Sequence, residues 1–299
     1  MRSSTAISYT PLADSSRIPV EQITAYYNDS KTQSLLDRYG PGPRVHYHSG
    51  IVKEPYGLRG SFSKLKGSIH RSQERLMARL AQLWNATSTL SRDVLDIGCG
   101  LGGGSLFWAQ EFGATVTAVT CVPSHIDWIE EFAKRADVSN QVRPLLSDAV
   151  QVPGESCFDA AVAIESSCHM PRRPLFRRLA SLLRPGGRIF IEDYFTDKQE
   201  ISDLFHRHWE SPLGSLEEYR EAGQEAGLQL ESVEDLTETL APYWSLSTAL
   251  LNAEIKGKTL TPAEKEKQVR SLAVHTKVGR SMWNRDIEAL ALSFRKPQS

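Results

Sequence analysis

Short apolar runs and amphipathic segments alternate along the chain from residue 93 onward. The runs DVLDIG, ATVTAVT, QVRPLLS, FDAAVAI and GRIFIED are apolar at most positions, which is typical of strands buried on both faces. The segments 103–112, 124–136 and 173–183 between them have helical periodicity. This alternation predicts a doubly wound α/β fold around a parallel sheet.

Further segments flank this core. Helical spacing predicts a helix from residue 20, ended by GPGP at 40–43, and the amphipathic segment HRSQERLMARLAQLW predicts another over 70–84. After GRIFIED, SLEEYREAGQEAGLQLESVEDLT predicts a helix and a sixth strand, and IEALALSFRKP predicts a closing strand. Two helical cap insertions, at about 195–215 and 242–283, separate these elements.

These elements define a fold class and a domain organisation. We expect an α/β protein with a Rossmann-like, seven-stranded, mostly parallel sheet whose last strand is antiparallel. Residues 91–299 form this core and its helical cap, and residues 20–90 form N-terminal helices or a lid. Residues 1–19, rich in Ser, Thr and Pro, are expected to be a disordered arm.

Composition and charge narrow the function classes. The 299 residues are 40% hydrophobic and 24% charged, with a formal net charge of −1 and dispersed Lys and Arg, so neither a nucleic-acid nor an anionic membrane partner is expected. No apolar stretch approaches bilayer-spanning length, and we expect a cytoplasmic protein. The four cysteines form no C-x-x-C pair, which favours reduced thiols over a metal site.

The stretch LDIGCGLGGG, residues 95–104, fits two nucleotide-binding patterns. Gly98, Gly100 and Gly103 fit the G-x-G-x-x-G turn of dinucleotide enzymes, whereas Asp96, Gly98, Gly100 and Gly102 fit the first motif of S-adenosylmethionine-dependent methyltransferases. A glycine turn at the start of a helix presents backbone N–H groups to a pyrophosphate or a carboxylate equally well. The turn alone does not identify the cofactor.

The next two strand ends separate these interpretations. A dinucleotide fold places an acidic residue about 20 positions on, but the second strand ends in Thr120 and Cys121. The third strand is followed by Asp148, which could accept a hydrogen bond from an adenine amino group, and by Ala149, whose N–H could donate to the ring. The order of Asp96, Gly98, Asp148 and LRPGG favours a class I methyltransferase over a dehydrogenase or a non-catalytic adenosine-binding protein.

Several motifs carry a closer resemblance. VTAVTCVPSH is similar to the V-T-G-V-T-L-S-x-x-Q stretch of the sterol, tocopherol and geranyl diphosphate methyltransferases, with Val122 and His125 in place of Ser and Gln. AIESSCHMP, YHSGIV, Gln73 and EEYREAGQEAGLQLESVEDLTETLAPYW also resemble this family, over roughly residues 40–250. Within it, the chain most resembles enzymes that methylate isoprenoid carbons of bacterial natural products. The expected cofactor contacts are Gln73, Asp96, Gly98, Gly100, Gly102, Thr120, Cys121, His125, Asp148, Ala149 and Ile164.

The resemblance implies carbon methylation of an isoprenoid double bond, in a terpenoid or a prenylated indole alkaloid. Methylation of an alkene leaves a carbocation, which aromatic rings can stabilise and a carboxylate can quench by taking a proton. Glu165 follows the fourth strand, at the position where the family has a base. The rings expected over the cofactor are Tyr194, Phe195, Trp209, Tyr243 and Trp244. Cyclisation of the cation is a further option.

Other interpretations remain open for these residues. Glu165 could instead pair with Arg172 or Arg173, and the aromatic residues could simply pack. His169 could orient the substrate or act as the base for O- or N-methylation.

The remaining expectations concern the N-terminal segment and partners. We expect His46, Tyr47 and His48 to border the methionine end of the cofactor rather than bind a metal. The lack of an aspartate-rich motif favours an uncharged prenylated substrate over a diphosphate. A homo-oligomer, in which the N-terminal helix of one chain covers a neighbour's pocket, is also predicted.

Overall fold

The computed structural model describes residues 18–53, 60–257 and 259–298. They form a seven-stranded sheet in the order β3-β2-β1-β4-β5-β7-β6. All neighbouring strands are parallel except at β7, which is antiparallel to both β5 and β6. The strands are β1 (Asp93–Ile97), β2 (Thr115–Thr120), β3 (Val142–Leu146), β4 (Phe158–Ile164), β5 (Leu183–Phe195), β6 (Gln229–Asp235) and β7 (Glu288–Arg295). The predicted fold class is confirmed.

Eleven α-helices among the described residues surround this sheet. They are α1 (Val20–Tyr26), α2 (Asp29–Tyr39), α3 (Phe62–Leu83), α4 (Ala86–Thr89), α5 (Gly103–Phe112), α6 (Pro123–Arg135), α7 (Arg172–Leu182), α8 (Gln199–Trp209), α9 (Leu216–Glu225), α10 (Thr237–Gly257) and α11 (Pro262–Trp283). Within the described ranges, no helix combines the length and the apolar character needed to cross a bilayer.

The N-terminal segment differs in detail from the predicted elements. The helix expected from residue 20 is two helices, because the side chain of Asn28 accepts a hydrogen bond from the backbone N–H of Lys31 and caps α2. Of the predicted arm, residues 1–17 lie outside the described residues. Ile18, the first described residue, is buried.

The boundaries of the cap helices α10 and α11 differ from those predicted. The predicted insertion at 242–283 is two helices, and α10 begins earlier, at Thr237. Helix α11 begins with a capping box, in which the Thr261 hydroxyl accepts from the Glu264 N–H while the Glu264 carboxylate accepts from the Thr261 N–H. These helices supply one wall of the site described below.

Side chains on the two faces of the sheet form two apolar clusters. Alternation along β5 sends Phe190 and Tyr194 to one face, which α3, α5, α6 and α10 cover, and Ile191 and Phe195 to the other, which α7 and α9 cover. The helices after β1 and β4, α5 and α7, lie on opposite faces although the two strands are neighbours. The sheet therefore has a topological switch point between β1 and β4, where α/β proteins bind ligands.

Candidate active site

A glycine-rich turn connects β1 to α5 at this switch point. Gly98 and Gly100 have backbone φ angles of +68° and +55°, in the left-handed region that favours glycine. A Cβ on Gly98 would lie 2.7 Å from the Cβ of Ser166, so the turn packs directly against the loop after β4. A Cβ on Gly100 would meet no atom within 4 Å, and Gly100 lines a cavity. The turn therefore offers an open backbone surface to a ligand.

This first cavity has an empty volume of about 1230 Å³, including the space open to solvent. Its walls come from the glycine turn, from the loops after β2, β3 and β4, and from α1 of the same chain. Eleven predicted site residues line it: Asp96, Gly98, Gly100, Thr120, Cys121, His125, Asp148, Ala149, Ile164, Glu165 and His169. The structure thus brings the ends of four strands together around one space.

Two residues expected to contact the cofactor do not line this cavity. Gln73 is fully buried and donates from Nε2 to the backbone oxygens of His46 (3.2 Å) and His48 (2.8 Å), so it holds a wall segment in place. Gly102 precedes α5 with φ +83°, and a Cβ there would lie 3.2 Å from the side chain of Ile129. Neither residue lines the cavity, and their contact with the cofactor stays a prediction.

Asp96 is a buried carboxylate at the floor of the first cavity. Its Oδ2 accepts a hydrogen bond of 2.6 Å from the Ser105 hydroxyl on α5. Burial raises the pKa of Asp96 to about 6, and the hydrogen bond from Ser105 opposes that rise. A buried carboxylate loses its hydration, which is unfavourable while it is charged. A cationic group of a ligand would compensate for that loss, so this site favours such a group.

The end of β2 carries neutral hydrogen-bonding groups in place of a carboxylate. The Thr120 hydroxyl accepts from the Val122 N–H at 3.1 Å and lies 3.4 Å from Nδ1 of His125. Burial lowers the pKa of His125 to about 4, so the imidazole is neutral at pH 7. Its buried Nε2 has no hydrogen-bond partner among the described residues. A neutral polar group of a ligand, such as a hydroxyl, would satisfy that nitrogen.

Glu165 follows β4 directly and has the left-handed φ angle of +44°, which is uncommon for a residue with a side chain. Its N–H donates to the backbone oxygen of Glu192 at 2.7 Å, and its carboxylate Oε1 accepts from the Ser49 N–H at 2.7 Å. Burial raises the pKa of Glu165 to about 7, against the effect of the Ser49 hydrogen bonds, and Asp193 adds to the rise. Glu165 is therefore a fixed carboxylate able to gain or lose a proton near pH 7.

A second cavity, with an empty volume of about 840 Å³ including its open part, meets the first at Glu165. Residues that line both cavities are Tyr27, Tyr47, His48, Glu165 and His169. The carboxylate of Glu165 thus lies at the wall between two chambers, as expected for a group that acts where two bound molecules meet.

Aromatic rings line the second cavity beside Glu165. Tyr194 lies 5.9 Å from Trp244 and 5.8 Å from Phe205, measured between ring centroids, and Trp209 lies 5.8 Å from Trp244. Tyr243, also predicted, lines the same cavity. Phe205 was not singled out from the sequence, because only the fold of α8 turns it toward Tyr194.

One predicted member of this aromatic group is wrong. Phe195 follows Tyr194 on β5, so strand alternation turns it to the opposite face of the sheet. There it packs against Tyr219 with a centroid distance of 4.9 Å. Phe195 is a buried core residue that lines neither cavity.

His169 is the second candidate base. Its Nδ1 lies 2.8 Å from the backbone oxygen of Glu210, and burial lowers its pKa, so the ring is neutral and Nδ1 carries the proton. Nε2 is then left as an acceptor in a residue that lines both cavities. The geometry supports His169 as an acceptor for a hydroxyl or amine proton.

The ion pairs considered for Glu165 are not formed. Arg172 donates to the backbone oxygens of Cys168, Met170 and Pro212. Arg173 pairs with Glu221 and Glu225 on α9. Both guanidinium groups thus serve the packing of α7.

His46, Tyr47 and His48 were expected to border the methionine end of the cofactor, and all three line the first cavity. Nε2 of His46 donates to Glu74 at 3.0 Å, and Nδ1 of His48 donates to the backbone oxygen of Ser49 at 2.7 Å. Sequence reasoning missed Ser49 itself, because its contribution to Glu165 is a backbone N–H and leaves no side-chain signature.

Comparisons with known proteins agree with this geometry. Residues 94–187 match the family described as methyltransferase domain. The chain is 31% identical, over 62% of its length and 71% of the relative's, to the 27-O-demethylrifamycin SV methyltransferase of Amycolatopsis mediterranei. It is 27% identical, over 83% of its length and 70% of the relative's, to a sterol 24-C-methyltransferase of Gibberella zeae.

A solved structure with the same fold is the geranyl diphosphate C-methyltransferase from Streptomyces coelicolor A3(2), in complex with Mg²⁺, geranyl-S-thiolodiphosphate and S-adenosyl-L-homocysteine. The two share a TM-score of 0.76 and 20% sequence identity, over 95% of this chain and all of the other. The likeness is one of fold.

Proposed function

The chain belongs to the class I S-adenosylmethionine-dependent methyltransferases, and from this premise we propose that it methylates a carbon of an isoprenoid double bond. The acceptor would be a small natural product, either a terpenoid or a prenylated indole alkaloid. The observation that carries the proposal is the position of Glu165, a carboxylate in the wall between the two cavities with its pKa raised to about 7 by burial.

The first cavity fits S-adenosylmethionine. Gly100 leaves open the space that a Cβ would fill, buried Asp96 would hold the cationic amino group, and the unpartnered Nε2 of His125 would meet a ribose hydroxyl. Asp148 and Ala149 would contact the adenine. When bound, the cofactor supplies an electrophilic methyl group on a sulfonium. Every other part of the reaction depends on the protein.

The second cavity fits an alkene acceptor. With the methyl donor in the first cavity, methyl transfer to an alkene would exchange the methyl–sulfur bond for a carbon–carbon bond and would leave the adjacent carbon cationic. The rings of Tyr194, Trp209, Tyr243 and Trp244 would stabilise that charge by about 0.5–2 kcal/mol each. Glu165, ionised before the step, takes a proton from the carbon next to the cation, and a double bond forms again. The same rings would allow a second double bond to close a ring before the proton leaves.

One variant tests this role. Glu165→Gln keeps the shape of the side chain but removes the base, so transfer should fall by about 10²–10⁴-fold. Affinity for S-adenosylhomocysteine, measured by calorimetry, should stay unchanged. Loss of that affinity together with transfer would mean that Glu165 holds the cofactor, and the proposal would fail.

O- or N-methylation is the second candidate. It is favoured by the free Nε2 of neutral His169, and the Amycolatopsis relative is named for an O-methylation. In that case His169→Gln should abolish transfer and Glu165→Gln should reduce it only slightly. Assays of the two variants on the same acceptor therefore separate the two functions.

A further inference from the structure

One wall of the second cavity is polar, in contrast to the aromatic wall beside Glu165. We define the polar wall as the following six residues that line the second cavity: Lys31, Arg38, His208, Ser247, Ser271 and His275. They come only from helices α2, α8, α10 and α11, and none comes from the sheet. Trp209 and Trp244, which contact His275, separate this wall from Tyr194.

The two cations of the polar wall are already engaged. Nη2 of Arg38 donates to Glu254 at 2.6 Å and to Gln268 at 3.4 Å. Nζ of Lys31 donates to the Tyr26 hydroxyl at 3.2 Å and lies 4.8 Å from the centroid of that ring. Burial and the charge of Arg38 lower the pKa of Lys31 to about 8. Arg38 is thus paired with a carboxylate, whereas Lys31 has no carboxylate partner among the described residues. One uncompensated positive charge does not balance a multiply charged anion.

The two histidines of the wall are neutral hydrogen-bonding groups. Burial lowers the pKa of His208 to about 4, and burial together with His208 lowers the pKa of His275 well below its usual value. Nδ1 of His275 bonds to the Ser247 hydroxyl at 2.9 Å, and the ring stacks on Trp209 at 5.6 Å. The imidazole is therefore held in one orientation.

Several polar atoms around this cavity lack a protein partner. The hydrogen bonds of the described residues include none to Nε2 of His275 or to the side chain of His208. Within the polar wall, the buried Nε of Arg38 is also unpartnered among the described residues. Buried donors and acceptors are costly to leave unpaired, so a bound molecule that pairs with them gains affinity.

We propose that the polar wall binds an uncharged headgroup with both hydrogen-bond donors and acceptors, such as an amide, at the end of the substrate opposite its reacting double bond. The inference rests on the proposed function, which places the double bond beside Glu165. The substrate is then an amphiphile whose isoprenoid chain lies among the aromatic rings. Because Glu254 already neutralises Arg38, only Lys31 would face the several negative charges of a diphosphate headgroup, which makes that headgroup the disfavoured alternative.

Three probes with one geranyl chain test the headgroup directly. They are N-geranylacetamide, geranyl diphosphate and the headless hydrocarbon 2,6-dimethylocta-2,6-diene, titrated into the S-adenosylhomocysteine-loaded protein while tryptophan fluorescence is followed. Two neutral hydrogen bonds predict that the amide binds about tenfold more tightly than the hydrocarbon. Tightest binding of the diphosphate, or equal affinity for amide and hydrocarbon, would overturn the inference.

Substitutions then locate the effect. Ser247→Ala and His275→Phe should each weaken amide binding by about fivefold while leaving hydrocarbon affinity unchanged. Ser245→Ala, at an exposed position of the same helix, is the matched control and should change neither affinity. If His275→Phe fails to fold by circular dichroism, Ser247→Ala decides alone. Equal amide affinity in Ser247→Ala and Ser245→Ala would place the headgroup elsewhere.

These affinities are independent of turnover. Should Glu165→Gln keep full transfer, the proposed function fails while the amide preference can still be measured. Should the amide preference be missing while Glu165→Gln loses transfer, only the inference about the headgroup fails.

Discussion

The two cavities of the site are built from different parts of the molecule. The first is formed largely by short loops after β1, β2, β3 and β4, at the switch point of the sheet. The second is enclosed mainly by helices α2, α8, α10 and α11, which come from widely separated segments. Cofactor recognition thus depends on local turns attached to a rigid sheet, and acceptor recognition depends on how separate helices pack. Substitutions in these helices can therefore alter the specificity for the acceptor without altering the cofactor site.

Gly98→Ala should have the largest effect of the substitutions that separate the two cavities, because it disrupts only the first cavity. A Cβ would lie 2.7 Å from Ser166 at a φ angle of +68°, so overpacking of roughly 1–3 kcal/mol adds to about 1–2 kcal/mol of left-handed strain. Affinity for S-adenosylhomocysteine should fall at least about tenfold. Gly113→Ala is the control, since Gly113 has φ +70° with no atom near its Cβ position. It should cost stability only; equal affinities in both variants would refute the packing argument.

Asp96→Asn should change the stability of the protein and its affinity for the cofactor in opposite directions. The pKa of Asp96 is raised to about 6, so its buried charge destabilises the unliganded protein fully above that pH and not at all below about pH 4. The variant should therefore gain about 3 kcal/mol relative to the parent between pH 4 and pH 7, and should lose cofactor affinity. Urea unfolding at the two pH values checks the gain. A variant less stable at pH 7 than at pH 4, relative to the parent, would contradict it.

The wall between the cavities should show its own pH dependence. Glu165 must be ionised to accept a proton, so the transfer rate should fall about tenfold per unit as pH drops below about 7. If His169 were the base, the midpoint would lie below 6.5, because burial lowers its pKa. Rates at saturating cofactor and acceptor over pH 5–9 distinguish the two. A flat profile between pH 6.5 and 8 would argue against Glu165.

The smallest effect is expected on the helical side, from one ring. Trp209→Leu keeps an apolar side chain but removes a cation–π contact of about 0.5–2 kcal/mol, so transfer should fall by roughly 2–30-fold with unchanged cofactor affinity. Trp283→Leu is the matched control, because Trp283 is 59% exposed on α11. Trp283→Leu should not alter the rate of methyl transfer. An equal loss of rate in both variants would show that the Trp209 ring does not stabilise the cation.

The same contrast explains what the sequence could predict. The glycine turn, Asp96 and the residues after β2 and β3 are recognisable because each motif is local and follows a predicted strand. Glu165 was found in the same way. Ser49, which orients the carboxylate of Glu165, is 116 residues away in the chain and acts through a backbone amide.

The helical side was predicted less well for physical reasons. Phe195 was predicted to lie beside Tyr194, but adjacent side chains of a strand point to opposite faces of the sheet. Both residues are aromatic, so the residue types alone do not show which of them faces the cavity. Lys31, Ser247 and His275 were not singled out, because each lies on a different helix and their meeting depends on packing angles. The predicted homo-oligomer stays a prediction; within one chain, α1 already lines the first cavity.

The identity of the atom that receives the methyl group distinguishes carbon methylation from oxygen methylation in a single experiment. An acceptor with a ¹³C-labelled prenyl chain and a free hydroxyl would be incubated with S-adenosylmethionine carrying a ¹³C methyl group, and the product examined by NMR. Carbon methylation predicts one-bond ¹³C–¹³C coupling between the new methyl group and the chain. A labelled methyl group on the oxygen, without that coupling, would contradict the account.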